Sequence, residues 1–336
     1  MRCTVNSERD VMKLPRRRFL HLAAGAAALP AASLIARAQA YPSRPARIVV
    51  PFAAGGSTDI SARLIGQWLS ERLGQQFVIE NRPGAGSNIG TEVVVNAPPD
   101  GYTLLLVGAS SAINATLYEK LNFNFLRDIT PVSGINSVPF IMAVHPSFPA
   151  KTVSEFIAYA RANPGKVNMA SGGNGTAGHL SGELFKLLTG LNMAHVPYRG
   201  EAPALTDMLA GHVQAMFGTM PASIEYVRAG KLRPLAVTSA RRSELLPDLP
   251  TVGDFVPGYD TSAWQGVGAP KSTPVEIIDR LNKEINAGLA DPKIKARVAD
   301  MGGTVLAGSP ADFGKLIADE TEKWGKVVKF SGAKPD

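Results

Sequence analysis

Five short stretches carry the residues that could do chemistry. Pro51-Phe52-Ala53-Ala54-Gly55-Gly56-Ser57-Thr58-Asp59 sets two glycines, two hydroxyls and an acid between an apolar run, 47–50, and apolar residues at 60, 64, 68, 69 and 73 that share one helical face. The stretch therefore reads as a strand-to-helix turn. Its glycines let a ligand approach the backbone closely, and the first N–H groups of the helix form a positive end that suits an anion. The same device returns in Arg82-Pro83-Gly84-Ala85-Gly86-Ser87-Asn88-Ile89-Gly90, in Gly108-Ala109-Ser110-Ser111, and in Ser171-Gly172-Gly173-Asn174-Gly175-Thr176-Ala177-Gly178-His179-Leu180. Tyr198-Arg199 adds a phenol and a guanidinium, and arginine pairs a carboxylate through two parallel bonds. Three of these residues have a plain structural reading beside the binding one. Asp59 reads first as a capping acid, His179 as a helix-start residue bonded to a neighbour, and Arg199 as half of a surface ion pair.

Other chemistries are weaker in the sequence. Gly173-x-Gly175-x-x-Gly178 has the dinucleotide spacing, but the next strand ends in Tyr198-Arg199 rather than an acid for a ribose, and no second nucleotide half follows. Gly108-Ala109-Ser110-Ser111-Ala112 resembles a nucleophile elbow. A serine hydrolase would then need His179 or His195 as its base, since no histidine lies beyond His212. The histidines lack metal-ligand spacing with partner carboxylates. No cofactor is expected.

The turns need strands and helices to hold them. Apolar runs at 77–81 and 102–107 read as strands, the second buried on both faces as in a parallel sheet. Three strands, each followed by a small-residue turn and a helix, make a doubly wound α/β pattern, whose ligands sit beyond the carboxyl ends of the strands. A second set of strands, at 141–144, 167–170, 194–198, 213–217 and 235–238, makes residues 141–239 a second α/β lobe, inserted between 41–140 and 240–336. Thr152-Val153-Ser154-Glu155 and Ser309-Pro310-Ala311-Asp312 open helices, as does Thr273-Pro274-Val275-Glu276 with Thr273 as its N-cap. The C-terminal helices are expected to pack on the first lobe, and 264–268 to form a strand.

The beginning of the chain reads as an export segment. Arg16-Arg17-Arg18-Phe19-Leu20 precedes an apolar, Ala-rich run, and Ala38-Gln39-Ala40 offers a small-x-small cleavage site. Arg-Arg-x-Phe-Leu resembles the twin-arginine signal, with Pro15 where a hydroxyl residue is usual. Residues 1–40 hold seven Lys or Arg and two acids, so they carry +5 of the formal charge of +7. The remaining +2 leaves no concentrated basic face for nucleic acid. Cys3 is the single cysteine and falls in that segment, so the processed chain has no disulfide or thiol chemistry.

Taken together and in order, the turns at 51–59 and 81–86, Pro99-Asp100-Gly101-Tyr102-Thr103-Leu104, Gly173-Asn174-Gly175-Thr176 with His179, and Val196-Pro197-Tyr198-Arg199-Gly200 resemble the Bug family, the solute receptors of tripartite tricarboxylate transporters. The likeness runs over essentially all of the processed chain. It implies a periplasmic, two-lobe, class II binding protein, monomeric and not an enzyme, that closes over a small carboxylated solute and delivers it to membrane permease subunits. A sensing receptor for a signalling partner is the alternative. The resemblance assigns ligand contacts to Phe52, Ala53, Gly55, Gly56, Ser57 and Asp59 in lobe one and to Ser171, Asn174, Gly175, Thr176 and His179 in lobe two. Ser87, Ser110 and Tyr198 follow, and the hinge is expected near 140–144 and 235–239.

Overall fold

The computed structural model describes residues 41–52, 54–198 and 200–335. The expected export segment with Cys3, the expected contact Ala53 and the candidate Arg199 lie outside the described residues. From Arg44 onward the chain makes one contact-rich unit. Its strands are β1 (Ala46–Val50), β2 (Phe77–Asn81), β3 (Thr103–Gly108), β4 (Ile129–Val144), β5 (Asn168–Ser171), β6 (Ala194–Pro197), β7 (Ala215–Thr219), β8 (Arg233–Val237), β9 (Ser262–Pro270) and β10 (Thr304–Val305). Its helices are α1 (Ser57–Leu73), α2 (Asn88–Val95), α3 (Ala109–Leu117), α4 (Phe125–Asp128), α5 (Val153–Ala162), α6 (Ala177–Thr189), α7 (Glu201–Leu209), α8 (Met220–Arg228), α9 (Val275–Ala290), α10 (Pro292–Asp300) and α11 (Pro310–Ser331).

One strand carries the architecture. β4 is 16 residues long, where the sequence marked only 141–144. Its first half pairs with β9 and β10, and its second half with β7 and β8. Pro131 and Gly134 disguised the first half and Pro139 the part that follows it, because proline cannot donate to a ladder and glycine weakens a strand. The strand tolerates them through register shifts between Pro131 and Ser133 and between Gly134 and Asn136, as bulges allow.

Strand directions then set where the turns go. β1 runs parallel to β2 and β3, β3 antiparallel to β9, and β9 antiparallel to β4, so β3 runs the same way as β4. β7 runs against β4, and β5 and β6 follow β7. The carboxyl ends of β1 and β3 therefore face those of β5 and β7 across the middle of β4. Gly108 ends β3 level with Gln265 and Asn136, while Thr219 ends β7 level with Phe140. At a rise of roughly 3.3 Å per residue, about 13 Å of strand separates these levels.

The chain crosses between the halves twice, on β4 and between Thr238 and Thr261. Thr238 is fully buried. The Phe140 N–H donates to its Oγ1 at 2.8 Å, and that hydroxyl donates to Thr261 O at 2.8 Å. Residues 250–259 pack on the second sheet: Val237 N–H donates to Pro250 O, and the Tyr259 hydroxyl donates to Ser181 O of α6 at 3.0 Å.

Two C-terminal expectations are corrected. Thr273 does not cap α9, because its hydroxyl donates to Pro270 O at 2.7 Å and the N-cap is Pro274. Helix α11 does not pack on the first lobe alone; it lies against both α3 and α6. The Ser309–Asp312 capping box opens α11 as expected. Within α11, Glu320 accepts from the indole N–H of both Trp264 and Trp324, at 3.0 and 2.8 Å.

Gly266 shows how tightly β9 is held. A Cβ there would lie 2.2 Å from Phe313 Cζ and 2.5 Å from Ser133 O, a backbone atom that cannot swing away. Gly266→Ala is expected to lower stability by about 1–3 kcal/mol, read as a fall in the urea midpoint.

Candidate functional site

The first turn is shaped from within. Gly55 has φ +91°, a left-handed conformation suited to glycine. Its N–H donates to Asp59 Oδ2 at 3.0 Å, and Arg63 Nε donates to the same oxygen at 2.9 Å. Asn81, the last residue of β2, donates through one Nδ2 to Asp59 Oδ1 and to Phe52 O, each at 3.0 Å. Asp59 is buried. The Arg63 guanidinium, with help from the Gly55 N–H and Asn81, holds its carboxyl at about 2 against the opposing pull of burial. Asp59 thus organises the loop, and the Gly55 amide is taken up by its carboxylate. The start of α1 itself stays open, since its N-cap is Gly56 and no side chain caps it.

The second turn is strained and stapled. Gly84, Ala85, Gly86 and Ser87 all have positive φ, including +45° at Ala85 and +92° at Ser87, conformations that are costly for residues with a Cβ. Asn114 of α3 holds them: its Nδ2 donates to Gly86 O at 2.6 Å and to Asn88 Oδ1 at 3.0 Å. Ser87 is buried. A Cβ on Gly90 would meet Pro51 at 2.8 Å, so the first and second turns pack directly together. Ser110 is the second residue of α3, half-buried, behind another glycine N-cap, Gly108, with no side-chain cap.

In the second lobe the glycine loop is tied to two histidines. Gly175 N–H donates to His179 Nδ1 at 3.1 Å, so the neutral ring carries its proton on Nε2, which faces Glu183 Oε1 at 3.6 Å. His195 stacks on His179 with centroids 3.7 Å apart, and its Nε2 lies 2.6 Å from Ser171 Oγ. Burial pushes the Glu183 carboxyl up, but His179 and Lys186 together hold it below the ordinary value. Thr176 caps α6 through His179 N–H and also donates to Gly173 O. Ser171, Gly175, Thr176 and His179 thus come together as one loop, with Asn174 at its tip, and His179 shapes the loop from inside. Gly175, at φ +70°, sits against the first lobe: a Cβ there would lie 2.2 Å from Leu117 Cδ2 of α3.

Tyr198 is drawn away from this group. Its hydroxyl donates to Asp207 Oδ2 at 2.6 Å, and burial with that carboxylate pushes the phenol up to about 12. Glu201, at the start of α7, takes a linking role that the sequence did not signal. Its Oε1 accepts from Thr219 N–H and its Oε2 from the Thr219 hydroxyl, joining the turns after β6 and β7. Burial raises its carboxyl. Asn81, Asn114, His195 and Gln265 were likewise missed as contributors; only Asn81 stood inside a marked motif. A cavity of about 850 Å³ also opens beside the crossing, lined by Ser137, Pro139, Arg241, Asp260 and Trp264 among others. None of the expected site residues lines it.

Two α/β lobes joined at a hinge, with the mouths of their sheets opposed, define a two-lobe binding protein of the class II periplasmic kind. Residues 61–332 match the family model described as tripartite tricarboxylate transporter family receptor. The chain is 39% identical over 300 residues to protein BugT of Bordetella pertussis, covering 88% of this chain and 92% of that one. Among solved structures it resembles R. palustris Rpa4515 with adipate, at 40% identity and a TM-score of 0.78 over 88% of this chain and all of that one. It also resembles MatC (Rpa3494) from Rhodopseudomonas palustris with bound malate, at 32% identity and a TM-score of 0.74 over 86% of this chain and all of that one. The chain belongs to the tripartite tricarboxylate transporter receptor family.

Because Asp59 titrates lower folded than unfolded, its contribution is fully present above about pH 4 and is lost as pH falls toward about pH 2. Asp59→Asn is expected to cost about 1–2 kcal/mol at neutral pH, with the gap to wild type closing between those two pH values. Urea midpoints of both proteins across that range are the measurement.

Proposed function

We propose that this receptor is exported, loses residues 1–40 and acts in the periplasm, where it binds a small carboxylated solute and presents it to membrane permease subunits. It makes and breaks no bond, works as a monomer and has no nucleic-acid partner. The two lobes are 41–140 with 240–336, and 141–239; the packing of residues 250–259 on the second sheet favours a return to lobe one nearer Thr261. The twin-arginine reading of Arg16-Arg17 and cleavage after Ala40 belong to the same proposal.

The observation that carries the binding mode is the pair of open helix starts that directly follow the carboxyl ends of β1 and β3. α1 and α3 begin behind Gly56 and Gly108, which offer no capping side chain; α2, α7, α8 and α9 also start without a side-chain cap, but α1 and α3 are the ones that open at the ends of β1 and β3 with a glycine N-cap and a serine in the first turn. Uncapped N–H groups at the positive end of a helix attract a carboxylate. The Ser57 and Ser110 hydroxyls stand in those two first turns, with Phe52 and Gly56 beside Ser57. Ser87 and the loop formed by Ser171, Asn174, Gly175 and Thr176 complete the opposing walls. Relatives solved with adipate and with malate agree with a carboxylate. Ligand that touches both lobes favours closure by its differential affinity for the closed form.

Protein unfolded and refolded to strip carried ligand, then melted with mono-, di- and tricarboxylates, acidic amino acids and a nucleotide, tests this. At 100 times Kd a cognate acid is expected to raise Tm by about 5 °C. A shift with the nucleotide alone would overturn the reading. Gly175→Ala, which sets a methyl against Leu117, is expected to raise Kd about tenfold by resisting closure, measured by calorimetric titration.

A further inference from the structure

Gln265 lies on β9 opposite both Gly108 and Asn136, level with the carboxyl end of β3. Only 3% of it is exposed. Its Nε2 donates to Ser57 Oγ at 3.3 Å, and its Oε1 is buried without a hydrogen-bond partner. Beside it Asn136 repeats the pattern, with Nδ2 donating to Ser61 Oγ at 2.9 Å and Oδ1 unpaired. Buried side-chain polar atoms almost always find a partner in folded proteins. An amide that holds the first residue of α1 while its oxygen waits for a donor therefore marks a place where something polar arrives.

The bond to Ser57 has a direction. Ser57 Oγ uses a lone pair to accept the Gln265 N–H, so its own proton is left to point elsewhere. Ser57 is half-exposed at the open N-terminus of α1, and among the described residues its hydroxyl has no acceptor. The Asp59 carboxylate, two residues on, already accepts from Gly55, Arg63 and Asn81, and Arg63 offsets its charge.

We propose that Gln265 is a positioning residue for the solute: by donating to Ser57 Oγ it fixes the Ser57 hydroxyl as a donor to a carboxylate oxygen seated at the start of α1, while its own Oε1 accepts from a water or hydroxyl brought in with that solute. This rests on the carboxylate reading above. It makes Ser57 and Gln265 one unit, so that losing either removes the same interaction.

The test titrates refolded wild type, Ser57→Ala, Gln265→Met, the double variant and Gln265→Glu by calorimetry with adipate, malate, succinate and glutamate. Ser57→Ala is expected to weaken the tightest of these acids about tenfold, Gln265→Met by a comparable factor, and the double variant no more than Ser57→Ala alone, the signature of a coupled pair. Gln265→Glu keeps the shape but places a carboxylate that accepts the Ser57 proton. Its loss of affinity is expected to be large at pH 8 and to shrink at pH 5, where protonation restores a donor. If Gln265→Met does not fold, the pH profile of Gln265→Glu decides alone. Unchanged affinity in Gln265→Met, additive losses in the double variant, or a pH-independent Gln265→Glu would overturn the positioning role while leaving the carboxylate reading standing. Wild type that binds none of the four acids would sink both.

Discussion

The pairing of β4 with different partners at its two ends is the constraint on which the rest depends. One strand cannot change direction, so every strand paired to it inherits a direction from it. β3 therefore ends at the level of Asn136 and β7 at the level of Phe140, and the turns that follow them are brought mouth to mouth. The gap is set by backbone register, which is rigid, rather than by side chains, which are not. The same strand passes through the hinge, where Thr238 joins it to the returning chain. Opening and closing can then alter the angle between the mouths without changing which turns oppose one another.

The turns divide the work between shaping and gripping. Asp59, Asn81, Asn114 and His179 face inward and fold their loops; their polar atoms are largely satisfied by neighbouring backbone and side chains. In the proposed binding mode, gripping falls to what they leave uncovered, the first N–H groups and hydroxyls of α1 and α3. In the first turn the Asp59 carboxylate is balanced by Arg63. A site of amides and hydroxyls is shaped to geometry more than to charge, which suits a family whose members hold acids as different as adipate and malate.

The glycine turns and the strands beside them were legible because two local signals coincide there, apolar periodicity and glycine. The run at 77–81 appears where those signals place it, and the turn expected over 51–59 is there but gives way to α1 already at Ser57. The part of β4 before Ile141 was not legible, since two prolines and a glycine contradict strand propensity and only the bulges and tertiary pairing override them. The fate of a polar atom was harder to read. Nothing in the order of residues says that Tyr198 would turn to Asp207 or that Gln265, in an unremarkable strand, would reach Ser57, because each bond joins residues whose proximity is a property of the sheet.

A single apolar cluster runs from Val49 and Leu105 in the first lobe through Trp324 to Phe156 and Phe185 in the second. The lobes are therefore not two beads on a thread, each able to fold and evolve alone. A chimera that took its upper lobe from one relative and its lower from another would inherit a mismatched seam along α11, and recombination at the hinge would be punished in solubility before it was rewarded in specificity.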